Sequence, residues 1–171
     1  SMCLLNFLWT HKDELGITVC AVNVDHDIRE NSANDSKFVI NYCEKNNIKI
    51  YSFKVNAKKF SEDKKLTLEQ GARECRYRVF KSLIQKNLVD KIALAHHMQD
   101  QAETILLNIF RGTGTHGASG MDYVRDDIYL RPMLDTSKSA ISAYIESNDI
   151  PYVEDETNEN NEYNRNYIRN Q

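Results

Sequence analysis

The chain has 171 residues, with 22 basic and 25 acidic side chains and a formal net charge of -3. This length suits one domain with its own hydrophobic core, spanning residues 1–171, and is marginal for two. The negative charge argues against a protein that coats nucleic acid nonspecifically, so we expect any RNA contact to be confined to part of the surface.

The cysteines and the hydropathy pattern bear on the compartment. The four cysteines do not stand at metal-binding or redox spacings, which predicts free thiols in a reducing compartment. They are Cys3, Cys20, Cys43 and Cys75. No apolar run approaches the roughly 20 residues that cross a bilayer, and the apolar start lacks the basic flank of a signal peptide. We therefore expect a cytoplasmic protein without membrane contact.

Strands and helices alternate along the first two thirds of the chain. Helical periodicity predicts helices over residues 2–11, 32–45, 68–86 and 100–110, with Gly16 closing the first. Apolar runs predict strands over residues 17–24, 48–55 and 91–95, and the first of these is apolar enough to be buried on both faces of a parallel sheet. Residues 61–67 read as a polar loop.

The pattern changes after Arg111. Four glycines punctuate a loop, residues 127–131 form a candidate strand, and residues 136–147 form a helix that Thr136 or Ser137 can cap. Residues 154–171 form a polar tail that turns basic. Together the elements predict an α/β fold, an open, mostly parallel sheet with helices on both faces, whose ligands bind beyond the carboxyl ends of the strands.

That rule directs attention to the residues that follow the first predicted strand. Asp25, His26 and Arg29 lie where this strand opens into a loop. The carboxylate could hold a metal or a ribose, and the guanidinium could reach a phosphate. An ordinary loop with solvated charges remains the alternative.

A second polar group follows the third predicted strand. His96 leads into a helix on which Asp100 and Glu103 stand three residues apart and so share one face. Two such carboxylates can bind Mg²⁺ or accept a proton from an attacking amine. The alternative is that they only complement the positive end of the helix dipole. A zinc hydrolase is rejected because the His-Glu-x-x-His motif is absent.

Arginines and glycines supply candidate anion sites. Arg73 and Arg76 share a helical edge suited to a polyphosphate, unless they simply pair with neighbouring glutamates. The glycines after Arg111, at Gly112 and Gly114, would let backbone amides approach an anion, although a flexible connector is equally compatible. Arginines interleaved with tyrosine and asparagine suit RNA, unless the tail is merely polar. These are Arg131, Arg165 and Arg169.

In this order, the motifs resemble the N-terminal domain of the tRNA(Ile)-lysidine synthases, members of the PP-loop ATP pyrophosphatase family. The motifs are Val-Asp-His-x-x-Arg, Ala-Arg-x-x-Arg-Tyr, His-His-x-x-Asp-Gln-x-Glu-Thr, Arg-Gly-x-Gly, Arg-Pro-x-Leu and Arg-Asn-x-Ile-Arg. Each is weak alone, but together they cover essentially the whole chain and are very specific.

Two departures from the family pattern accompany this resemblance. The family's Ser-Gly-Gly-x-Asp-Ser loop and the strand before it are expected just upstream of Met2. Ser1 is then either the last residue of that loop, where it would contact phosphate, or foreign to it. The family often carries an aspartate where this chain has Gln99, which removes any role for a carboxylate at that position.

The resemblance implies ATP, Mg²⁺, free L-lysine and a tRNA(Ile) with a CAU anticodon. It implies adenylation of the wobble cytidine, followed by displacement of AMP by lysine to give lysidine. Asp100 and Glu103 would orient the metal or the amine, and Arg76 and Arg73 would steady negative charge. A homodimer is compatible with this scheme.

The residues that would bind nucleotide and RNA follow from the same resemblance. Nucleotide contacts are expected from Ser1, Asp25, His26, Arg29, His96, Arg111, Gly112 and Gly114, and RNA contacts from Arg131, Arg165 and Arg169. Two rival functions stay open. A base-thiolating enzyme would be expected to show a Cys-x-x-Cys pair, which this chain lacks, and a noncatalytic nucleotide-binding or RNA-binding module would need no chemistry at all.

Overall fold

The structure is a computed structural model, and it describes residues 1–28, 32–113 and 119–153. The chain divides into two compact units. Unit 1 combines residues 1–6 with the chain from residue 91 onward, and unit 2 consists of residues 7–90. The boundary falls within helix α1, Met2–Thr10.

Unit 2 is built on a parallel pair of strands. Strand β1, Cys20–Asp25, pairs with β2, Lys49–Lys54, and helix α2, Ser32–Lys45, connects them. Because the strands are parallel, their carboxyl ends share one edge, where Asp25 lies opposite Lys54. The predicted burial of the first strand on both faces is wrong, since only Ala21 is fully buried and the rest of β1 is half-buried.

A helical hairpin completes unit 2. Helix α3, Ala57–Lys64, packs against α4, Leu68–Gln85. The polar loop predicted over residues 61–67 is therefore wrong over its first half. The side chain of Asn56 caps α3 by accepting from the backbone N–H of Lys59 at 2.8 Å. Thr67 caps α4 in a reciprocal capping box with Gln70, an arrangement that satisfies two otherwise unpaired backbone donors.

Helices α3 and α4 approach each other closely at Gly71. A Cβ added there would overlap the hydroxyl of Ser61 and lie 3.0 Å from its Cβ. Ser61 cannot move easily, because it is buried and its hydroxyl donates to the carbonyl of Ala57 at 2.7 Å. The glycine is thus required by packing, not by its own backbone conformation.

We expect Gly71→Ala to lower the free energy of unfolding by about 1–3 kcal/mol, the usual cost of overpacking a tight contact. Urea denaturation measures this. Adding Ser61→Gly to Gly71→Ala restores the room and should recover part of the loss. The contact between α3 and α4 would be disproved if Gly71→Ala unfolded at the parent's urea midpoint.

The described residues of unit 1 include three short strands and two further helices. Strand β3, Ile92–Ala93, pairs in parallel with β5, Tyr129–Leu130, and β4, Val124–Arg125, pairs antiparallel with β5. The helices are α5, Met98–Phe110, and α6, Lys138–Ser147. Strand β4 was not predicted. Buried side chains from across the unit include Ile92, Tyr129, Leu134 and Ile150.

The element boundaries follow the sequence closely in places. Helix α2 begins and ends at the predicted residues, and Ser137 caps α6 by accepting from the N–H of Ala140. Helix α5 starts two residues earlier than predicted. Helix α1 ends at Thr10, and a run of hydrogen-bonded turns continues to Gly16, which has a positive φ of 63°.

The predicted fold class is confirmed: mostly parallel strands are flanked by helices. Strand pairing among the described residues falls into two sheets, one in each unit. All four cysteines are free thiols, and burial raises the pKa of each. No helix in the described ranges is long and apolar enough to cross a bilayer.

Candidate functional site

The carboxyl end of β1 forms a compact polar turn in unit 2. Oδ1 of Asp25 accepts from the N–H of Asp27 at 2.9 Å, and Asp27 adopts a left-handed φ of 54°. Lys54, at the end of β2, pairs with Asp27 at 2.8 Å. The carbonyl of Asp25 accepts from Val55 and that of His26 accepts from Ala57, both at the start of the next connection. The turn therefore holds its conformation through its own hydrogen bonds.

His26 lies at this turn beside an arginine of α4. Burial lowers the pKa of His26, the positive charge of Arg76 lowers it further, and Asp25 opposes the shift. Nδ1 of His26 is buried and has no hydrogen-bond partner among the residues that the structure describes. Two separately predicted motifs thus meet within unit 2, at His26 after β1 and Arg76 of α4.

The lowered pKa of His26 predicts a dependence of stability on pH. The folded state disfavours the protonated imidazole, so the unfolded state takes up the proton more readily. The stabilising contribution of neutral His26 is therefore complete above the unfolded pKa of about 6.5 and is lost as the pH falls below it. We expect the urea midpoint to fall between pH 7.5 and 5.5, and to fall less in His26→Gln. An equal fall in both proteins would contradict this.

The two arginines of α4 differ in their surroundings. Arg73 is half-buried and lies over the ring of Tyr77, with its guanidinium 5.0 Å from the ring centroid. Arg76 is exposed beside His26. The neighbouring Glu74 makes its ion pair with Arg78, at 4.0 Å. Arg76 is thus the better placed of the two to meet a ligand anion at the end of β1.

The start of α5 carries the second predicted group, in unit 1. His97 is the N-cap residue, and Oδ2 of Asp100 accepts from its N–H at 2.9 Å. The same oxygen lies 3.4 Å from Nε2 of His97. Glu103 faces the interior and is only 5% exposed. Asp100 therefore has a capping role, which was the simpler of the two interpretations, and the buried Glu103 lies on the same side of the helix.

Ser1 and His97 border a cavity of about 280 Å³ in unit 1. Its other walls come from Cys3, from the end of the β3 strand region at Ala95, from Met133 and from one face of α6. Ser1 precedes α1, and its carbonyl accepts from the N–H of Leu5. The cavity therefore opens beside the helix that carries Asp100. His96, also predicted, is half-buried next to His97.

Arg111 and Gly112 lie at the opposite end of α5 from Asp100. Eleven residues of helix separate Asp100 from Arg111, a distance of about 16 Å at 1.5 Å per residue. Both Arg111 and Gly112 are exposed, and Gly112 has a φ of 71°. The structure does not bring these two residues to the start of α5, and their predicted contact with nucleotide phosphates stays a prediction.

Arg131 does not suit the predicted RNA contact. It is 3% exposed, and its guanidinium donates to the carbonyl of Asp122 at 2.5 Å. A buried arginine held by the backbone cannot meet a phosphate at the surface, so we assign it a structural role. Four other predicted residues, Arg29, Gly114, Arg165 and Arg169, lie outside the described residues.

Sequence reasoning missed a clamp between α5 and the chain that follows the glycines. The side-chain amide of Gln101 accepts from the N–H of Met121 at 2.7 Å and donates to its carbonyl at 3.0 Å. Gly120 has a φ of 74°, and a Cβ there would lie 2.8 Å from the amide carbon of Gln101. A glutamine at position 101 gave no signal of this, because its partners are 20 residues away.

The whole chain, residues 1–171, matches the profile of the PP-loop domain family. The chain belongs to the PP-loop domain family. Curated relatives carry the name tRNA(Ile)-lysidine synthase. This PP-loop domain is 44% identical to the one from Pseudothermotoga lettingae, 41% to that of Clostridium tetani and 40% to that of Thermotoga maritima.

Each of these matches covers 99% of the chain but only 36–41% of the relative. The PP-loop domain thus spans about two fifths of the length of these relatives. A solved structure, the U34-tRNA thiolase NcsA of Methanococcus maripaludis with its [4Fe-4S] cluster, matches with a TM-score of 0.77 over 99% of the chain and 61% of that structure, at 12% identity. That likeness supports the PP-loop fold alone.

Proposed function

We propose that this PP-loop domain uses ATP to adenylate the wobble cytidine of tRNA(Ile) with a CAU anticodon and joins L-lysine to it, forming lysidine. The observation that carries the proposal is the similarity to tRNA(Ile)-lysidine synthases along 99% of the chain, at identities of 40–44%. The free thiols and a tRNA substrate fit a cytoplasmic protein.

The reaction has two steps in this proposal. The oxygen at position 2 of cytidine attacks the α-phosphate of ATP, and pyrophosphate leaves. The lysine amine then attacks the activated ring carbon, the bond from that carbon to oxygen breaks, and AMP departs while the amine loses a proton. The first step converts a poor leaving oxygen into a good one, which is why ATP is required.

The turn at the end of β1 supports the nucleotide half of the proposal. The buried Nδ1 of His26 has no partner among the described residues and is available to a ligand, and Asp25 can accept from a ribose hydroxyl. Arg76 supplies positive charge beside them. Arg73, Arg111, Gly112 and Ser1, with Arg29 and Gly114 of the undescribed residues, complete the proposed contacts to ATP.

The start of α5 supports the second half. Mg²⁺ is usually held by one or two carboxylates together with substrate phosphates, and Asp100 with Glu103 fits that donor set. Among the described residues there is no cluster of three acidic, histidine or cysteine side chains that would hold a metal without such phosphates. When bound, the ion would neutralise phosphate charge. Asp100 and Glu103 would also orient the lysine amine, and the neighbouring His96 would contact the nucleotide. Arg165 and Arg169 would contact the tRNA.

Product analysis on the full-length protein tests the proposal. Pyrophosphate should be released from ATP in the presence of the tRNA, and AMP release and incorporation of labelled lysine into the tRNA should require lysine. Sulfur transfer to the tRNA instead would identify a thiolating enzyme. The absence of any pyrophosphate release would favour a noncatalytic binding module.

A further inference from the structure

An ion pair joins the ends of β1 and β2 and has no role in the proposed function. Nζ of Lys54 lies 2.8 Å from Oδ1 of Asp27, and both side chains are exposed. The hydrogen bond to Asp27 raises the pKa of Lys54, and the charge of Asp27 raises it further, so the lysine is protonated at neutral pH. The pair therefore connects the last residue of β2 to the turn that follows β1.

Asp27 has a backbone conformation that its residue type does not favour. Its φ is 54°, in the left-handed region where a Cβ approaches the following carbonyl oxygen. Aspartate tolerates this conformation better than most residues do, but only glycine adopts it without a steric cost. Contacts of the side chain or the backbone must therefore hold residue 27 in place.

The conformation of residue 27 matters because of the peptide that precedes it. The N–H of this peptide donates to Oδ1 of Asp25 at 2.9 Å, and its carbonyl, from His26, accepts from Ala57 at 3.2 Å. If residue 27 returned to a negative φ with the chain on both sides fixed, this peptide would flip. Both hydrogen bonds would then break, and the carboxylate of Asp25 would lose the contact that orients it.

We propose that Lys54 and Asp27 are positioning residues of the nucleotide site, which keep residue 27 in the left-handed conformation and contact no ligand themselves. The inference rests on the proposed function, because it requires ATP to bind at the end of β1. The ammonium group of Lys54 attracts the carboxylate of Asp27 in the same conformation in which the N–H of Asp27 reaches Asp25. Asp25 and His26 thus keep their positions before the nucleotide arrives.

A direct contact between Lys54 and a phosphate is the competing role for this lysine. Its ammonium group already meets a carboxylate at 2.8 Å, so a phosphate contact would have to disrupt that pair. The two roles differ in what glycine at position 27 would do. Glycine removes the need for positioning, since it adopts the left-handed conformation unaided, but it does not replace a lost phosphate contact.

Two substitutions of Asp27 separate the backbone conformation from the charge. Asp27→Ala and Asp27→Gly both remove the carboxylate, but alanine resists a positive φ and glycine does not. In pyrophosphate release by the full-length protein, Asp27→Ala should raise the KM for ATP by about fivefold, from the cost of the left-handed conformation to a residue with a Cβ. Asp27→Gly should raise this KM clearly less. The kcat should change little, because nucleotide binding alone is affected, whereas loss of folded protein would lower the apparent kcat at unchanged KM.

Lys54→Met tests the other member of the pair. In the parent it should raise the KM for ATP by about threefold, within the range that exposed ion pairs contribute, and in Asp27→Gly it should have no further effect. Lys49→Met is the matched control, because Lys49 is an exposed lysine at the other end of β2 and lies over the ring of Tyr51. A threefold effect of Lys54→Met that persists in Asp27→Gly would overturn the proposal, as would equal KM values for Asp27→Ala and Asp27→Gly.

The pKa of His26, followed by NMR without ATP or tRNA, tests the positioning even if no reaction occurs. A flip of the peptide after His26 should change the burial that lowers this pKa, so Asp27→Ala should move it toward its ordinary value and Asp27→Gly should move it less. Both variants lose the same charge, so the difference between them reports the backbone. Equal pKa values would overturn the proposal. A difference in pKa without any pyrophosphate release would support the positioning and remove only the proposed function.

Discussion

Asp100→Asn and Glu103→Gln are each expected to lower lysidine formation by about 10²–10⁴-fold, the range that a positioned acid or base contributes. Both substitutions preserve shape and remove only the charge. The asparagine oxygen can still accept from the N–H of His97, so the capping box at the start of α5 should remain. The loss should therefore appear in turnover and not in folding.

The measurement is single-turnover incorporation of labelled lysine into tRNA by the full-length protein, with thermal denaturation run in parallel. Glu44→Gln, an exposed carboxylate in the last turn of α2, serves as the control and should have parental activity. Near-normal turnover by both variants at the start of α5 would exclude a chemical role and leave Asp100 as a helix cap.

Arg76→Ala should lower the rate of pyrophosphate release by about 10²–10³-fold, as removal of a group that stabilises developing negative charge typically does. Arg78→Ala removes the same side chain two residues later on α4. Arg78 pairs with Glu74 and lies over the ring of Phe60, so its loss should leave the rate nearly unchanged. Comparing Arg76→Ala with Arg78→Ala shows whether the rate depends on the arginine at position 76 or only on the total positive charge of α4.

A second measurement on the same variant does not depend on any assumed reaction. Because Arg76 lowers the pKa of His26, Arg76→Ala should raise it, and histidine resonances in NMR report this directly. Arg78→Ala should leave the pKa of His26 unchanged. An unaltered His26 in Arg76→Ala would show that the two side chains are not neighbours and would remove the basis for a shared nucleotide site.

The elements that the sequence predicted well are those with strong local signals. Helix α2 has a full amphipathic period, and Ser137 is a standard N-cap before α6. Helix α3 was missed because only its two small residues Ala57 and Ser61 are buried, so it lacks an apolar stripe. Its Ser61 packs against Gly71 of α4, a contact between helices that no local pattern reveals.

The short strands of unit 1 also depend on pairing between residues that local sequence patterns do not reveal. Val124 and Arg125 form a strand only because Tyr129 and Leu130 pair with them across a turn, in which Asp126 and Asp127 have positive φ values. Aspartate tolerates that conformation better than most residues do, but two aspartates in a polar stretch indicate only a loop. The pairing of β5 with β3, more than 30 residues away in sequence, lies beyond local prediction.

For the candidate site, the sequence predicted which residues to consider but not the burial and the contacts of each side chain. It placed Asp25, His26 and Arg76 among the ligand-binding candidates, and the structure brings them together. It predicted that Arg131 contacts RNA, whereas the structure buries this side chain.

The clamp between Gln101 and Met121 places an evolutionary constraint on positions 101 and 120. While glutamine occupies position 101, a side chain at position 120 would collide with its amide as well as adopt an unfavourable φ. A side chain at position 120 should therefore be accompanied by a smaller residue at position 101, whereas a smaller residue at position 101 needs no change at position 120.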